Sequence, residues 1–233
     1  MQPKGFTILL EDGPVLVVDK PGGLLTQAPP GIDSLEARVK RFLKARDEKP
    51  GKVYLAVTHR LDRPVSGAII LAKHVRAAQR IGKQFEDRRI EKVYWAVVEG
   101  EIAEASGTWT DYLRKIPDQP RSEVVAHDHP EGKIAILNYR VLGRASGRTW
   151  LEIELVTGRT HQIRVQASSR GTPVLGDFFY GASSSFGPAS DDERERLIAL
   201  HARRTAFEHP MTREPIRLEA PLPEAWNELG FVR

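Results

Sequence analysis

The feature of the sequence that most constrains the fold is a succession of apolar segments with no helix between them. Residues 93–98, 107–111, 122–126, 134–142 and 150–156 have the composition of β-strands and are separated by Gly, Pro and Asp. Strands joined directly by turns pair as antiparallel neighbours, whereas parallel strands need a crossover, usually a helix, between them. This order predicts an α+β fold with a mixed, largely antiparallel central sheet and flanking helices.

Helical segments are fewer and lie on both sides of this succession. Residues 35–44 follow a capping box in which Asp33 is the predicted N-cap, and their apolar side chains recur at helical spacing. Residues 75–86 have the same periodicity. Residues 159–169 form a shorter candidate helix that Thr160 could cap. These helices are predicted to flank the sheet.

Size and composition indicate one soluble globular domain. The chain has 233 residues, of which 40% are hydrophobic and 28% charged, and these are ordinary values for a soluble protein. Neither a repeat nor a long linker divides it, so we predict a single domain over residues 1–233 with a central cleft. The absence of cysteine excludes disulfides, thiolate nucleophiles and Cys-ligated metal centres. No segment has the length of a membrane span or the apolar core of a signal peptide, which predicts a cytoplasmic location.

Positive charge is concentrated in the first half of the chain. The net charge is only +4, but residues 36–92 contain 16 Lys and Arg against 7 Asp and Glu, a local charge of +9. Such an imbalance suits a polyanionic partner. A solvated surface without a partner has the same composition, so charge alone leaves nucleic-acid binding open.

One carboxylate has a distinctive setting. Asp62 is surrounded in sequence by His59, Arg60 and Arg63, and the apolar runs on either side read as buried strands. A carboxylate held between cations stays ionised at neutral pH, which is the state that a nucleophile or a general base needs. A structural ion pair would also place an Asp beside Arg, so these residues alone do not decide between the two interpretations.

Two further segments carry candidate functional side chains. In residues 158–164, which read Gly-Arg-Thr-His-Gln-Ile-Arg, His161 and Arg164 are three apart and would share a helix face. In the strand predicted at residues 93–98, Tyr94 lies on the face opposite Trp95. A guanidinium binds a carboxylate in two-pronged fashion, so Arg164 could hold an ionised aspartate.

Together these segments resemble the signature blocks of the RluA-type RNA pseudouridine synthases. The first block is His59-Arg60-Leu61-Asp62, followed by Ser66-Gly67 and Ala72-Lys73, and the second is residues 158–164 with the later Gly176-Asp177 and Tyr180-Gly181 pairs. The flanks from residue 15 to residue 210 match as well. Two positions depart from the family pattern, because Val65 replaces a Thr and Gln166 replaces a His.

The resemblance implies an isomerase that converts uridine in structured RNA, either rRNA or tRNA, to pseudouridine by base flipping. It implies Asp62, Arg164 and Tyr94 as catalytic residues, with Arg164 pairing with Asp62 and Tyr94 stacking on the base. Arg60 would occupy the space that the flipped base vacates. The other predicted RNA contacts are His59, Arg63, Lys73, Arg159, His161 and Gln162. No cofactor, metal, membrane or obligate protein partner is expected, and the enzyme is expected to be a monomer without the N-terminal RNA-binding module of many relatives.

Two alternatives remain at this point. The first is a non-catalytic RNA-binding or RNA-folding protein on the same fold. The second is a carboxylate-based hydrolase of a nucleotide or glycoside, which would need two acids flanking the bond that is cut. Asp177 is the nearest second acid, and we expect it to be structural.

Overall fold

The strands and helices follow the predicted order. The computed structural model describes residues 2–231, so residues 1, 232 and 233 of the predicted 1–233 domain lie outside the described residues. The chain divides into two compact units, Met1–Glu91 with Ala202–Pro223 and Lys92–His201 with Glu224–Arg233. Among residues 2–231 no helix has the length and apolar character needed to cross a membrane.

The first unit contains two helices and a group of strands. The strands, in chain order, are β1 (Thr7–Asp12), β2 (Val15–Lys20), β3 (Ala56–Val57), β4 (Ser66–Ala72), most of β10 (Leu200–Glu208) and β11 (Pro215–Glu219). Their order in the sheet is β1-β2-β4-β10, with β3 also pairing with β4 and β11 with β10. Strand β4 is buried along its whole length and pairs antiparallel with β2, so these two strands form a rigid core.

The helices of this unit are α1 (Leu35–Arg46) and α2 (Val75–Glu86). Ser34, not the predicted Asp33, caps α1, since its side chain accepts a hydrogen bond from the N–H of Ala37. Asp33 instead forms ion pairs with Arg38 and Arg41. The prediction of Asp33 as the cap was wrong because both residue types cap helices equally well and the nearby arginines attract the carboxylate.

The second unit contains the strands that follow one another without helices. They are β5 (Glu91–Glu99), β6 (Ser106–Lys115), β7 (Ser122–Val125), β8 (Lys133–Ala145) and β9 (Arg148–Leu155). Their order is β5-β9-β8-β6-β7, and all four pairings are antiparallel. The predicted α+β class with a largely antiparallel sheet is confirmed.

The helical elements of the second unit are short. Helix α3 spans Gln162–Ser168, and 3-10 turns span Phe178–Tyr180 and Glu224–Leu229. The predicted Thr160 cap was wrong, because the N-cap position is His161, which has φ 55° and makes no side-chain capping hydrogen bond. This left-handed backbone is uncommon for a residue other than glycine, and it turns the chain sharply into α3.

Gly67 is a position where only glycine fits. Its φ is 116°, and a Cβ atom there would lie 2.4 Å from the carbonyl oxygen of Ala202. Gly67→Ala would therefore combine an unfavourable backbone conformation with a clash against backbone atoms. We expect it to lower the free energy of unfolding by about 2–4 kcal/mol, measured by urea unfolding. Gly13→Ala is a matched control with φ 49° and no atom near the added Cβ, and it should cost clearly less.

Candidate active site

The Asp62 loop connects β3 to β4 and is attached at several backbone positions. The hydroxyl of Thr26 donates to the carbonyl of Leu61 at 2.7 Å and accepts from the N–H of Leu61 at 3.2 Å. The N–H of Val65 donates to the carbonyl of Asp62 at 3.1 Å, which closes a turn around the aspartate. Asp62 itself is partly exposed. The loop thus presents one carboxylate from a backbone that is held on both sides.

Lys20, at the end of β2, is the cation buried beside this loop. It has no exposed surface, and its Nζ donates to the carbonyls of Pro21, Leu24 and Arg63 at 2.9, 2.8 and 3.2 Å. Burial lowers the pKa of Lys20 to about 7, while the negative charge of Asp62 acts in the opposite direction. The sequence did not single out Lys20. A lysine that ends an otherwise buried strand was the available signal.

Removing the Lys20 amine should loosen the Asp62 loop. Lys20→Met keeps the length of the side chain but leaves three carbonyls without their donor. Because a displacement of about 1 Å can cost 10²-fold in rate, we expect kcat for pseudouridine formation to fall by up to about 10²-fold with KM for RNA little changed. Lys4→Met, at an exposed position, is the control. Unchanged kcat in Lys20→Met would show that the lysine does not position the loop.

The four residues of the first unit that are predicted to contact RNA differ in how exposed they are and in whether they are bound within the protein. Arg60 is exposed. His59 accepts a hydrogen bond at Nε2 from the N–H of Ile70 at 3.0 Å and stacks on a phenylalanine, and Arg63 has a buried Nε that no hydrogen bond satisfies within residues 2–231. Lys73 pairs with Glu11 at 2.5 Å. Arg60 is thus the most accessible of the four, and contact with RNA stays a prediction for all of them.

In the second unit, Arg164 and Asp177 form a buried, two-pronged ion pair. Nε and Nη2 of Arg164 donate to the two carboxylate oxygens of Asp177 at 2.6 and 2.9 Å. Only 6% of the Arg164 side chain and 1% of the Asp177 side chain are exposed. The guanidinium also lies 4.9 Å from the centre of the Tyr180 ring. Asp177 therefore fixes the plane of the Arg164 guanidinium, and it does not stand exposed as a second catalytic acid.

Tyr180 connects this ion pair to His161. Its hydroxyl lies 2.8 Å from Nδ1 of His161 and accepts from the N–H of Ser122 at 3.0 Å. The ring is buried, whereas the neighbouring Phe179 is exposed. His161, a predicted RNA contact, is thus held by a tyrosine hydroxyl. Sequence reasoning found Tyr180 only as part of a Tyr-Gly pair and did not assign it this role.

The remaining predicted RNA contacts of this unit support the backbone around α3. Nε of Arg159 donates to the carbonyl of Ile134 at 2.9 Å. Gln162 is buried, and its Oε1 accepts from the hydroxyl of Thr157 and from the N–H of Arg159 at 2.8 and 3.0 Å. An RNA contact through either side chain stays a prediction.

The two departures from the family pattern lie in packed surroundings. Gln166 is fully buried and donates from Nε2 to a carboxylate oxygen of Asp111 at 2.6 Å. Val65 is 2% exposed. Both side chains therefore contribute to internal packing.

Tyr94 lies on β5 as the alternation predicts. It is buried, with 8% of its surface exposed, and pairs in register with Ile153 of β9. Trp95 next to it donates from Nε1 to Glu152 at 3.2 Å. Its stacking on a target base stays a prediction.

Comparison with known proteins agrees with the fold and the motifs. A family model described as RNA pseudouridylate synthase matches residues 14–169. The ribosomal large subunit pseudouridine synthase D of Xanthomonas campestris is 35% identical over 231 residues, covering 96% of this chain and 68% of that protein. An uncharacterized RNA pseudouridine synthase of Zymomonas mobilis is 34% identical, covering 96% of this chain and 97% of that protein.

Solved structures have the same fold. The human protein RNA Pseudouridylate Synthase Domain Containing 4 superposes with a TM-score of 0.77 at 22% identity, covering 96% of this chain and 92% of that chain. The fold and motifs together define an enzyme of RNA modification. The chain belongs to the RluA-type RNA pseudouridine synthase family. It is an isomerase that acts on RNA, and the non-catalytic alternative is not favoured.

Proposed function

We propose that Asp62 is the catalytic group through which this enzyme isomerises uridine in structured RNA. The observation that supports it most directly is the attachment of the Asp62 loop, where Thr26 and Lys20 hold the backbone on either side of the carboxylate. Catalysis depends on holding a reacting group within a fraction of an ångström of its productive position. A partly exposed carboxylate on a fixed turn meets that requirement.

The proposed reaction is balanced without a cofactor. The bond from N1 of uracil to C1′ of the ribose breaks, the base rotates, and a bond from C5 to C1′ forms. The proton that C5 loses is matched by the one that N1 gains, so no oxidant, reductant or phosphate donor is consumed. Asp62 acts on the ribose or on the base during this exchange, either as a nucleophile or as a base.

The other predicted site residues have supporting roles in this proposal. The uridine must leave its stack at a cost of a few kcal/mol, and Arg60, which is exposed, would fill the space that it vacates. Tyr94 would stack on the flipped base, as the family resemblance implies. Arg164 would supply positive charge to the reaction, with Asp177 as its positioning residue because the carboxylate holds two of its nitrogens.

Large-subunit rRNA is the substrate that we propose first, with tRNA as the second choice. The name of the Xanthomonas campestris relative refers to the ribosomal large subunit, and that relative is 35% identical to this chain. The proposed enzyme works in the cytoplasm as a monomer.

Mapping of pseudouridine across cellular RNA tests this function. RNA from a strain without the gene should lack one or a few pseudouridines that reappear when the wild-type gene is restored. Restoration with Asp62→Asn should leave these uridines unmodified. If sites disappear from tRNA and none from large-subunit rRNA, the choice of substrate is wrong although the activity stands.

A further inference from the structure

We propose that a basic groove on the first unit binds the phosphate backbone of the RNA outside the target nucleotide. One wall is the outer face of α1, with Lys40, Arg41 and Lys44, and the other wall is residues 50–53, which include Lys52. The groove encloses about 550 Å³. Four cationic side chains and no carboxylate line it. None of its residues belongs to the predicted catalytic set.

The core fixes the direction in which the α1 wall faces. Leu35, Val39, Phe42 and Leu43 are buried, so the helix cannot turn its polar face away from the groove. Lys40 and Lys44 are four residues apart and therefore neighbours on the helix surface. Lys44 on this wall and Lys52 on the other line the same groove, so both can contact phosphates of one RNA strand that lies in it.

Two of the four cationic side chains are not engaged in ion pairs among the described residues and can therefore bind phosphate. Lys40 and Arg41 pair with Glu36 and Asp33. Lys44 and Lys52 are exposed, and within residues 2–231 neither has a carboxylate partner. Placing phosphates beside them would release counterions at no cost in broken ion pairs.

A second basic concavity is less suited to this role. It is lined by side chains of α2, by Arg89 beyond the end of that helix, and by the end of β10 and the segment after it. Lys83 pairs with Asp87 at 2.9 Å and Arg89 with Glu208 at 3.1 Å. Glu208 also lines it. An incoming phosphate would have to displace or approach these carboxylates, so the groove beside α1 is the better RNA surface.

The groove would contribute affinity but no chemistry. Phosphate contacts set the register of a protein on nucleic acid and carry much of the salt-dependent affinity. A contact made equally in the ground state and in the transition state changes KM and leaves kcat unaltered. This inference depends on RNA being the substrate and does not depend on the assignment of Asp62.

The test uses one double variant that combines Lys44→Gln and Lys52→Gln, and compares it with the wild type. The full chain is titrated into a labelled RNA hairpin at salt concentrations from about 50 to 200 mM. We expect Kd at the low salt concentration to rise about tenfold and the slope of log K against log salt to shrink by about 2, roughly one per lost contact. The single-turnover rate at saturating enzyme, on RNA carrying the mapped uridine, should stay within about twofold of wild type.

The matched control is the double variant Arg76→Gln with Lys133→Gln. Both side chains are exposed, and neither lines the groove. An equal loss of RNA affinity in this control would overturn the proposal, since the loss of any two positive charges from the surface would then explain the higher Kd. Unchanged binding in the groove variant would also overturn it. If Asp62→Asn keeps full activity, the catalytic assignment fails but the comparison of affinities is unaffected.

Discussion

Asp62→Asn is expected to abolish pseudouridine formation while RNA still binds. Asn has nearly the same volume as Asp but is neither a nucleophile nor a base at neutral pH, and loss of such a group costs about 10⁴-fold or more in rate. The measurement is single-turnover conversion of a uridine-labelled RNA with the variant in excess. The Kd for the same RNA should change less than about threefold, because one partly exposed carboxylate contributes little to binding a polyanion.

Asp118→Asn is the control for this substitution. Asp118 is exposed in a turn, where its φ of 56° suits Asn as well as Asp. It should retain full activity. Measurable turnover by Asp62→Asn above about 1% of wild type, at any pH, would exclude Asp62 as the essential group.

The Asp62→Asn variant should also show that Asp62 stabilises the charged form of Lys20, through a stability difference from wild type that depends on pH. Burial lowers the pKa of Lys20 to about 7, and Asp62 is the largest influence that raises it. In the Asn variant this pKa should therefore fall further below the value of the unfolded chain. The stability that Asp62 lends to charged Lys20 is present below about pH 7 and is lost as pH rises through that pKa. Urea unfolding at pH values on either side should show a difference between wild type and variant only on the acidic side.

Arg164→Met should both inactivate and destabilise the enzyme. The substitution leaves the Asp177 carboxylate, 1% exposed, without the guanidinium that binds both of its oxygens. Removing one partner of a buried ion pair costs about 3–5 kcal/mol. We therefore expect a lower midpoint in urea unfolding together with loss of pseudouridine formation.

A double variant separates the structural effect from the catalytic one. Arg164→Met combined with Asp177→Leu replaces both charges by apolar side chains of similar size, which often restores the stability lost on breaking a buried pair. We expect stability to return to within about 1 kcal/mol of wild type while activity stays absent. Activity in this stable double variant would show that Arg164 is needed only for folding.

Asp177→Asn tests the positioning role on its own. It keeps the shape of the side chain but loses the charge that faces Nε and Nη2 of Arg164. A positioning role predicts a lower kcat with KM for RNA unchanged. A merely structural role predicts lower stability with kcat unaltered in the folded fraction.

Several features of the fold could be read from local sequence. The strands of the second unit follow one another without helices, so their antiparallel pairing was predictable. Their order in the sheet, β5-β9-β8-β6-β7, was not, because of the consecutive strands only β6 with β7 and β8 with β9 are paired among the described residues. The Asp62 loop lies between two strands as its apolar flanks indicated, although β3 is only two residues long. The motif blocks identified the family, because a motif is defined by neighbours in the chain.

Only the tertiary structure decided which partners the charged side chains have. Lys20 meets Arg63, which is 43 positions away, and Arg164 meets Asp177 across 13 positions. Gln162 and His59, whose contact with RNA stays a prediction, form hydrogen bonds within the protein that the sequence did not indicate. Hydrophobic periodicity and motif spacing are properties of adjacent residues, whereas the partner of a buried charge depends on which distant segments the fold brings together. The sequence by itself therefore determined the family and the largely antiparallel character of the sheet. Packing decided the order of the strands in the sheet, and it decided which polar groups support the site and which face solvent.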